Sequence, residues 1–166
     1  MNKYLLRFDE INRLTRDFEG EFEELCDLLY AEMRNAYISG FGNKKKYDDD
    51  LIELLIFYSY GGRDVFDLLE EAYNDNDKTR INTIFTNEYH RMYNAGSYDY
   101  AKDTFKTKKW ITAGDDKVRD THEYLEGIEI PIEAEFITYD GDSAVYPGAF
   151  SNAANNVNCR CILEYT

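Results

Sequence analysis

Two closely spaced cysteines and one histidine in the C-terminal third are the residues best suited to chemistry. Cys159 and Cys161 flank a single residue, so an extended backbone directs both thiols to one face. Thiolate and imidazole are preferred ligands of tetrahedral zinc, which makes Cys159, Cys161 and His122 a candidate metal site, with Asp115 as a further ligand. The Cys-x-Cys spacing is narrower than the Cys-x2-Cys pairs typical of structural zinc. Two alternatives stay open: both thiols are small buried hydrophobes, or His122 is a general base beside a thiol nucleophile.

A predicted helix would bring His122 close to two charged residues. Thr112 stands three residues before Asp115, which is the spacing of a capping box and predicts a helix over residues 113–125. On such a helix Asp115, Arg119 and His122 occupy positions i, i+4 and i+7 and share one stripe. The structural interpretation of Asp115 is a capping residue that also pairs with Arg119.

Four lysines before the single tryptophan are a candidate nucleic-acid site. Lys102, Lys106, Lys108 and Lys109 precede Trp110, a pattern able to contact phosphate and stack a base. The alternative is a solvated face with Trp110 in the core. The net charge of −14 favours this alternative, because it repels a polyanion at long range.

The composition narrows the function classes further. Three cysteines are an odd number, and a secreted disulfide framework is not expected. No apolar run reaches about 18 residues and the N-terminus lacks a signal-peptide pattern, so we expect a protein made in the cytoplasm without a membrane span. Gly-rich phosphate loops, HExxH and GxSxG are absent from the sequence, which gives an enzyme little support.

Hydrophobic periodicity predicts a helical N-terminal half. Apolar residues recur at three and four spacing over residues 4–37, which predicts one long amphipathic helix followed by a linker over residues 39–46. Further helices are predicted from Asp48 to Tyr58, ended by the Gly61-Gly62 pair, from Asp64 to Tyr73, and over residues 79–95 with Gly96 as the stop. His90, between charged neighbours on this last helix, is predicted to lie at the surface or in an interface.

Short alternating segments predict strands in the C-terminal half. They lie at residues 110–111, 128–132, 136–139 and 158–165. The fold class is therefore α+β, with a helical docking extension over residues 1–78 and a small α+β domain over residues 79–166.

A series of motifs in this second half resembles the C-terminal domain of phage Mu F-like minor head proteins. In order they are Glu88-x-x-Arg91-x-Tyr93-Asn94-Ala95-Gly96, Lys108-Lys109-Trp110-x-Thr112, Asp115-x-Lys117-Val118-Arg119-x-x-His122, Leu125-x-Gly127, Phe136, Tyr146-Pro147-Gly148 and Asn158-Cys159-Arg160-Cys161. The resemblance covers about residues 80–161, and the closing Asn-Cys-Arg-Cys is its most telling part.

The resemblance implies a bacteriophage virion protein and no enzyme. It implies an assembly role at the portal vertex or inner capsid, with the portal protein or major capsid protein as partner and genomic DNA nearby. Family members also occur as the delivery half of toxin fusions, and we expect no toxin module here. The motif residues are then a structural polar network that locks the helix over the cysteine strand, without a required cofactor: Trp110, Asp115, Arg119, His122, Asn158 and Arg160.

Overall fold

Seven helices and five short strands make up the part of the chain that the structure describes. The computed structural model describes residues 3–42, 46–57 and 63–166. The elements are α1 (Lys3–Arg16), α2 (Phe22–Phe41), α3 (Asp49–Ile56), α4 (Val65–Asn74), α5 (Lys78–Ala101), β1 (Thr107–Ile111), α6 (Asp120–Glu123), β2 (Glu129–Pro131), β3 (Phe136–Ile137), β4 (Ser143–Ala144), α7 (Ala153–Asn156) and β5 (Ile162–Tyr165). This arrangement confirms the α+β class. The linker predicted over residues 39–46 begins too early, because α2 continues to Phe41. Residues 43–45 of that linker and the predicted helix end at residues 58–62 lie outside the described residues.

The N-terminal segment forms two helices rather than one continuous helix. α1 ends at Arg16 and α2 begins at Phe22. At the start of α2 the Glu24 carboxylate accepts a hydrogen bond from the backbone N–H of Glu21 at 3.3 Å, which is one half of a capping box. The apolar spacing continues across the break because both helices bury their apolar faces against α5. Periodicity alone therefore did not reveal the interruption.

The helix α5 runs through Gly96, so the predicted stop at this glycine is wrong. Gly96 lies where α5 crosses α2 at very short distance. A Cβ atom at Gly96 would lie 2.1 Å from the backbone oxygen of Tyr37, and one at Gly40 would lie 2.0 Å from the oxygen of Tyr93. The two glycines therefore serve the packing of α2 on α5, because only hydrogen fits between the backbones.

Aspartates start the two short helices that complete the helical core, as predicted. The Asp48 carboxylate accepts hydrogen bonds from the N–H groups of Asp50 and Leu51 at 3.0 and 3.4 Å. The Asp64 carboxylate accepts one from Phe66 at 2.8 Å. These bonds satisfy amides that have no partner within the helix. The core that α1 to α5 enclose includes Leu25, Leu29, Met33, Ile52, Leu69, Phe85 and Met92.

A small antiparallel sheet builds the C-terminal part. β1 is its central strand between β2 and β5, and Trp110 faces Leu163 in the register of β1 with β5. β3 and β4 form a separate two-stranded pair. A second hydrophobic cluster surrounds Trp110, and Tyr146 packs against both this cluster and the helical core. None of the helices in the described residues is both long and apolar enough to cross a lipid bilayer.

The predicted helix over residues 113–125 is wrong for most of its length. Only α6, Asp120–Glu123, is helical. Gly114 adopts a φ of 69°, and the Asp115 carboxylate accepts a hydrogen bond from the backbone N–H of Lys117 at 3.1 Å. This local side-chain bond forms a turn that competes with a helix. The Ser/Thr-x-x-acid spacing was therefore misleading.

Candidate functional site

His122, Cys159 and Cys161 converge in the second core. The Nδ1 atom of His122 lies 3.6 Å from the Cys159 sulfur and 3.4 Å from the Cys161 sulfur. One ligand atom of each residue lies within 4.8 Å of the other two. All three side chains are buried, with 1, 5 and 2% of their surface exposed. The structure thus brings together the three residues that sequence spacing proposed as zinc ligands.

An aromatic pocket fixes the imidazole of His122. Its ring stacks on Phe150 at a centroid distance of 5.4 Å and meets Trp110 edge-on at 5.3 Å. The backbone N–H of His122 donates to the oxygen of Arg119 at 2.9 Å, which forms the first turn of α6. The buried Nε2 atom of the same ring has no hydrogen-bond partner among the residues that the structure describes.

A left-handed residue leads the chain into the cysteine segment. Asn158 has a φ of 57°, and its backbone N–H donates to the Asn87 side-chain oxygen on α5 at 2.8 Å. Asparagine tolerates this conformation better than most residues. The N–H of Cys159 then donates to the oxygen of Asn156 at 3.1 Å. The segment becomes extended toward β5, and both thiols face inward.

Asp115 and Arg119 take other partners than the sequence suggested. Asp115 is exposed and forms a bidentate pair with Arg160 at 2.6 and 2.7 Å. Hydrogen bonding from Arg160 lowers the pKa of Asp115 to about 2. Arg119 donates to the backbone oxygen of Val157. Asp115, Arg119 and His122 therefore do not form the predicted stripe. Asp115 and Arg119 make surface contacts near the buried His122, and Asp115 does not belong to the cluster of His122, Cys159 and Cys161.

His90 is buried near the cysteine segment, whereas it was predicted to lie at the surface or in an interface. It is 2% exposed on α5. The side-chain nitrogen of Asn94 lies 3.2 Å from His90 Nε2 and donates to the oxygen of Cys161 at 3.4 Å. His90 and Asn94 lie four residues apart, about one helical turn, and this spacing could have predicted their contact from the sequence.

The two thiols have opposite acidities. The hydrogen bond from Cys161 holds the pKa of Cys159 well below its usual range, and His122 and His90 act in the same direction against burial. The same contact with Cys159, together with burial, raises the pKa of Cys161. Cys159 is therefore the more acidic thiol of the pair.

A small cavity gives this cluster a route to solvent. Its volume is about 10 Å³, and its lining includes His122, both cysteines, Lys117, Arg119 and Arg160. That volume is close to what one water molecule requires. An ion or a water therefore fits beside the sulfurs. A second, open cavity of about 750 Å³ between α1, α5 and the cysteine segment is also lined by Cys159.

Comparison with known proteins identifies the family. A family model described as "Phage Mu protein F like protein" matches residues 58–164, well over half of the chain. The protein belongs to the phage Mu F-like family. The match begins earlier than the predicted resemblance and includes α4 as well as the cysteine segment.

One curated relative of this Mu F-like protein is an enzyme by name. The NAD(+)--arginine ADP-ribosyltransferase EFV of Enterococcus faecalis is 44% identical over 54 residues, which cover 32% of this chain and 11% of the relative. The chain thus spans about a tenth of the relative's length. No solved structure matches the chain.

The candidate nucleic-acid residue Lys108 lies inside the Mu F-like domain. Its side chain is fully buried, and its Nζ donates to the oxygen of Val145 at 2.8 Å. The same nitrogen lies 4.7 Å from the ring centroid of Tyr98. Burial lowers the pKa of Lys108 to about 8. A residue in this position cannot contact a phosphate, so Lys108 is corrected to a structural residue.

The other lysines of this group form ion pairs with acidic residues or are exposed to solvent. Lys102 forms an ion pair with Asp99, and Lys109 forms one with Glu164 at 2.7 Å. Lys106 is exposed. These ion pairs reduce the positive charge that the group would offer to a nucleic acid.

The first family motif contains a buried ion pair that sequence analysis did not assign. Glu88 and Arg91 are 2 and 3% exposed at their side chains, and the Arg91 guanidinium donates to Glu88 at 2.6 Å. Arg91 also donates to the backbone oxygen of Leu55 at 2.9 Å, which ties α3 to α5. The spacing of i and i+3 indicated a helical pair but not its burial.

Proposed function

We propose that this protein is a minor head protein of a tailed bacteriophage that acts in head morphogenesis at the portal vertex or the inner capsid. The match of the family model to residues 58–164 carries this proposal. The C-terminal sheet and its core are the rigid body, and residues 1–78 are the docking extension. The protein works in the virion after its synthesis in the host cytoplasm.

The charge of the chain supports a role near DNA without binding it. The net charge of −14 repels the genome, and the lysine group around Lys108 does not form a free basic surface. We expect negligible affinity for duplex DNA even at low salt. Tight binding that weakens steeply with salt would contradict this part of the proposal.

Two exposed apolar residues on the docking extension fit a protein interface. Leu54 on α3 and Phe57 at its C-terminal end are 68 and 55% exposed. Their spacing of three places them on the same side of the helix. Exposed neighbouring apolar side chains are typical of interaction sites. We propose that this pair contacts the portal protein.

Co-expression with the portal protein of the same phage tests the proposal. A stable complex in size-exclusion chromatography at moderate salt is expected, and Leu54→Asp combined with Phe57→Asp should abolish it. Ile137→Asp is the matched control, since Ile137 is 61% exposed on β3 and belongs to the other half. Point substitutions are preferable to a deletion of the N-terminal helices, because α2 supplies much of the helical core.

Two results would overturn the assignment. Separate elution of the two proteins, combined with absence of the chain from purified particles by mass spectrometry, would remove the assembly role. Unchanged binding of the Leu54 and Phe57 variant would remove the proposed interface while leaving the assembly role intact.

We further propose that the protein acts without catalytic turnover. The relative named as an ADP-ribosyltransferase shares a segment that is only 11% of its length. The cavity that His122 lines, about 10 Å³, is too small for NAD⁺, and the larger cavity of about 750 Å³ beside the cysteine segment does not include His122 in its lining. Incubation with labelled NAD⁺ and an arginine-containing acceptor is expected to transfer no label. Time-dependent transfer by the purified chain would contradict the proposal.

A further inference from the structure

We propose that Cys159, Cys161 and His122 bind one zinc ion, with His90 as the fourth ligand. His122 lies on α6 and both cysteines lie on the segment before β5, with their ligand atoms within 4.8 Å of one another. His90 lies on α5, where Asn94 is 3.2 Å from its Nε2 and donates to the oxygen of Cys161. Two thiolates and two imidazoles are a common ligand set of structural zinc. The site would join α5, α6 and the segment before β5.

The distances from His122 Nδ1 to the sulfurs of Cys159 and Cys161 fit a zinc ion. Zinc–sulfur bonds of about 2.3 Å and zinc–nitrogen bonds of about 2.0 Å, at the tetrahedral angle, separate a sulfur from a nitrogen ligand by about 3.5 Å. The Nδ1 atom of His122 lies 3.6 and 3.4 Å from the sulfurs of Cys159 and Cys161. An ion can therefore contact all three atoms without moving the backbone.

Hydrogen bonding alone leaves this cluster incompletely satisfied. The Nδ1 atom of His122 carries either one proton or one lone pair, so it makes a full hydrogen bond with only one of its two sulfur neighbours. A buried polar atom that is only partly satisfied requires an explanation, and an ion at Nδ1 is one. A zinc ion there engages both sulfurs together.

His90 is the most suitable fourth ligand. It is buried on α5 near Asn94, which donates to the oxygen of Cys161, whereas Asp115 is exposed and engaged by Arg160. Two thiolates balance the charge of Zn²⁺ when both other ligands are neutral imidazoles. A neutral site avoids the cost of burying net charge beside Trp110. The water-sized cavity beside the three ligands leaves room for an ion.

Metal content and cobalt spectroscopy of the full chain test the site. The protein is purified under reducing conditions from zinc-supplemented cells, and about one zinc per chain is expected by mass spectrometry of the metal. Replacement by Co²⁺ should give the strong visible bands of tetrahedral cobalt and a thiolate-to-cobalt charge-transfer band. Removal of the metal should lower the unfolding temperature.

Single substitutions assign the ligands. Cys159→Ser, Cys161→Ser and His122→Gln should each weaken zinc binding by at least about 100-fold, more than the loss of a group that only orients a ligand. His90→Gln should weaken it as well and change the cobalt spectrum. Cys26→Ser is the matched control, because Cys26 belongs to the helical core and should leave binding unchanged.

The proposal has clear failure points. A folded wild-type chain that takes up no zinc or cobalt would overturn it, as would equal losses in the Cys26→Ser control. If His90→Gln binds zinc with unchanged affinity and spectrum, the assignment of His90 is wrong. Circular dichroism of each variant at excess zinc separates loss of a ligand from loss of the fold.

Discussion

Gly96→Ala tests whether the crossing of α2 and α5 determines the stability of the helical half. On an isolated helix this change is stabilising by about 0.8–1 kcal/mol, because alanine is the better helix former. At Gly96 the added Cβ would lie 2.1 Å from the backbone oxygen of Tyr37 and 3.0 Å from the N atom of Phe41. Backbone atoms cannot rotate away, so α2 and α5 must separate.

The expected net effect is a loss of about 2–3 kcal/mol, near the upper end of the cost of overpacking a core. For a chain of this length it corresponds to a fall in Tm of roughly 4–12 °C. Thermal and urea unfolding followed by far-ultraviolet circular dichroism measure it. Ser39→Ala is the control, since Ser39 is exposed on α2 and the change should be neutral or slightly stabilising.

A Gly96→Ala variant as stable as the wild type would refute the close crossing. Gly40→Ala makes the reciprocal contact, with its Cβ at 2.0 Å from the oxygen of Tyr93, and should show a similar loss. Because both changes strain the same pair of helices, their combined cost should be smaller than the sum of the two single costs.

Three further changes test the interior charges and a helix start. Burial lowers the pKa of Lys108 in the folded protein from 10.5 to about 8, so the unfolded chain binds more protons between pH 7 and 9.5. The free energy of unfolding should therefore rise by about 2 kcal/mol over that range, and Lys108→Met should remove this rise. A pH profile of urea unfolding that keeps the rise in this variant would contradict the assignment. Glu88→Gln should cost about 3 kcal/mol because it leaves the Arg91 charge buried without its carboxylate, and an unchanged Tm would argue against that pairing. Asp64→Ala should cost about 1 kcal/mol in the same assay through loss of the hydrogen bond to Phe66, and no loss would show that the cap is unimportant.

Local signals in the sequence predicted the starts of α3 and α4 and the neighbourhood of every described strand except β4. Asp48 and Asp64 start helices because their short carboxylates reach amides only two or three residues ahead. Such contacts depend on neighbours in sequence and are visible without a fold. The strand around Trp110 was also predicted from neighbouring residues in the sequence. Trp110 itself is buried because its ring is large and apolar.

Glycines were harder to interpret because one residue type serves two purposes. Gly96 was predicted to stop a helix, yet it permits a crossing with α2, more than fifty residues away in sequence. Gly114, in contrast, interrupts the chain where a helix was predicted. The sequence around each glycine does not contain the partner helix, and so it cannot distinguish a stop from a close approach.

The candidate metal site shows the same division between local and distant information. The Cys-x-Cys spacing places Cys159 and Cys161 on one side of an extended chain, and no further structure is needed for that step. His90 was assigned to the surface because Glu88 and Arg91 flank it. Those two charges neutralise each other inside the protein, so they allow burial of this face of α5 rather than oppose it. A pair of opposite charges at i and i+3 beside a histidine is therefore compatible with a buried helix face as well as with an exposed one. Only the packing of α5 against the cysteine segment decides whether His90 is buried or exposed.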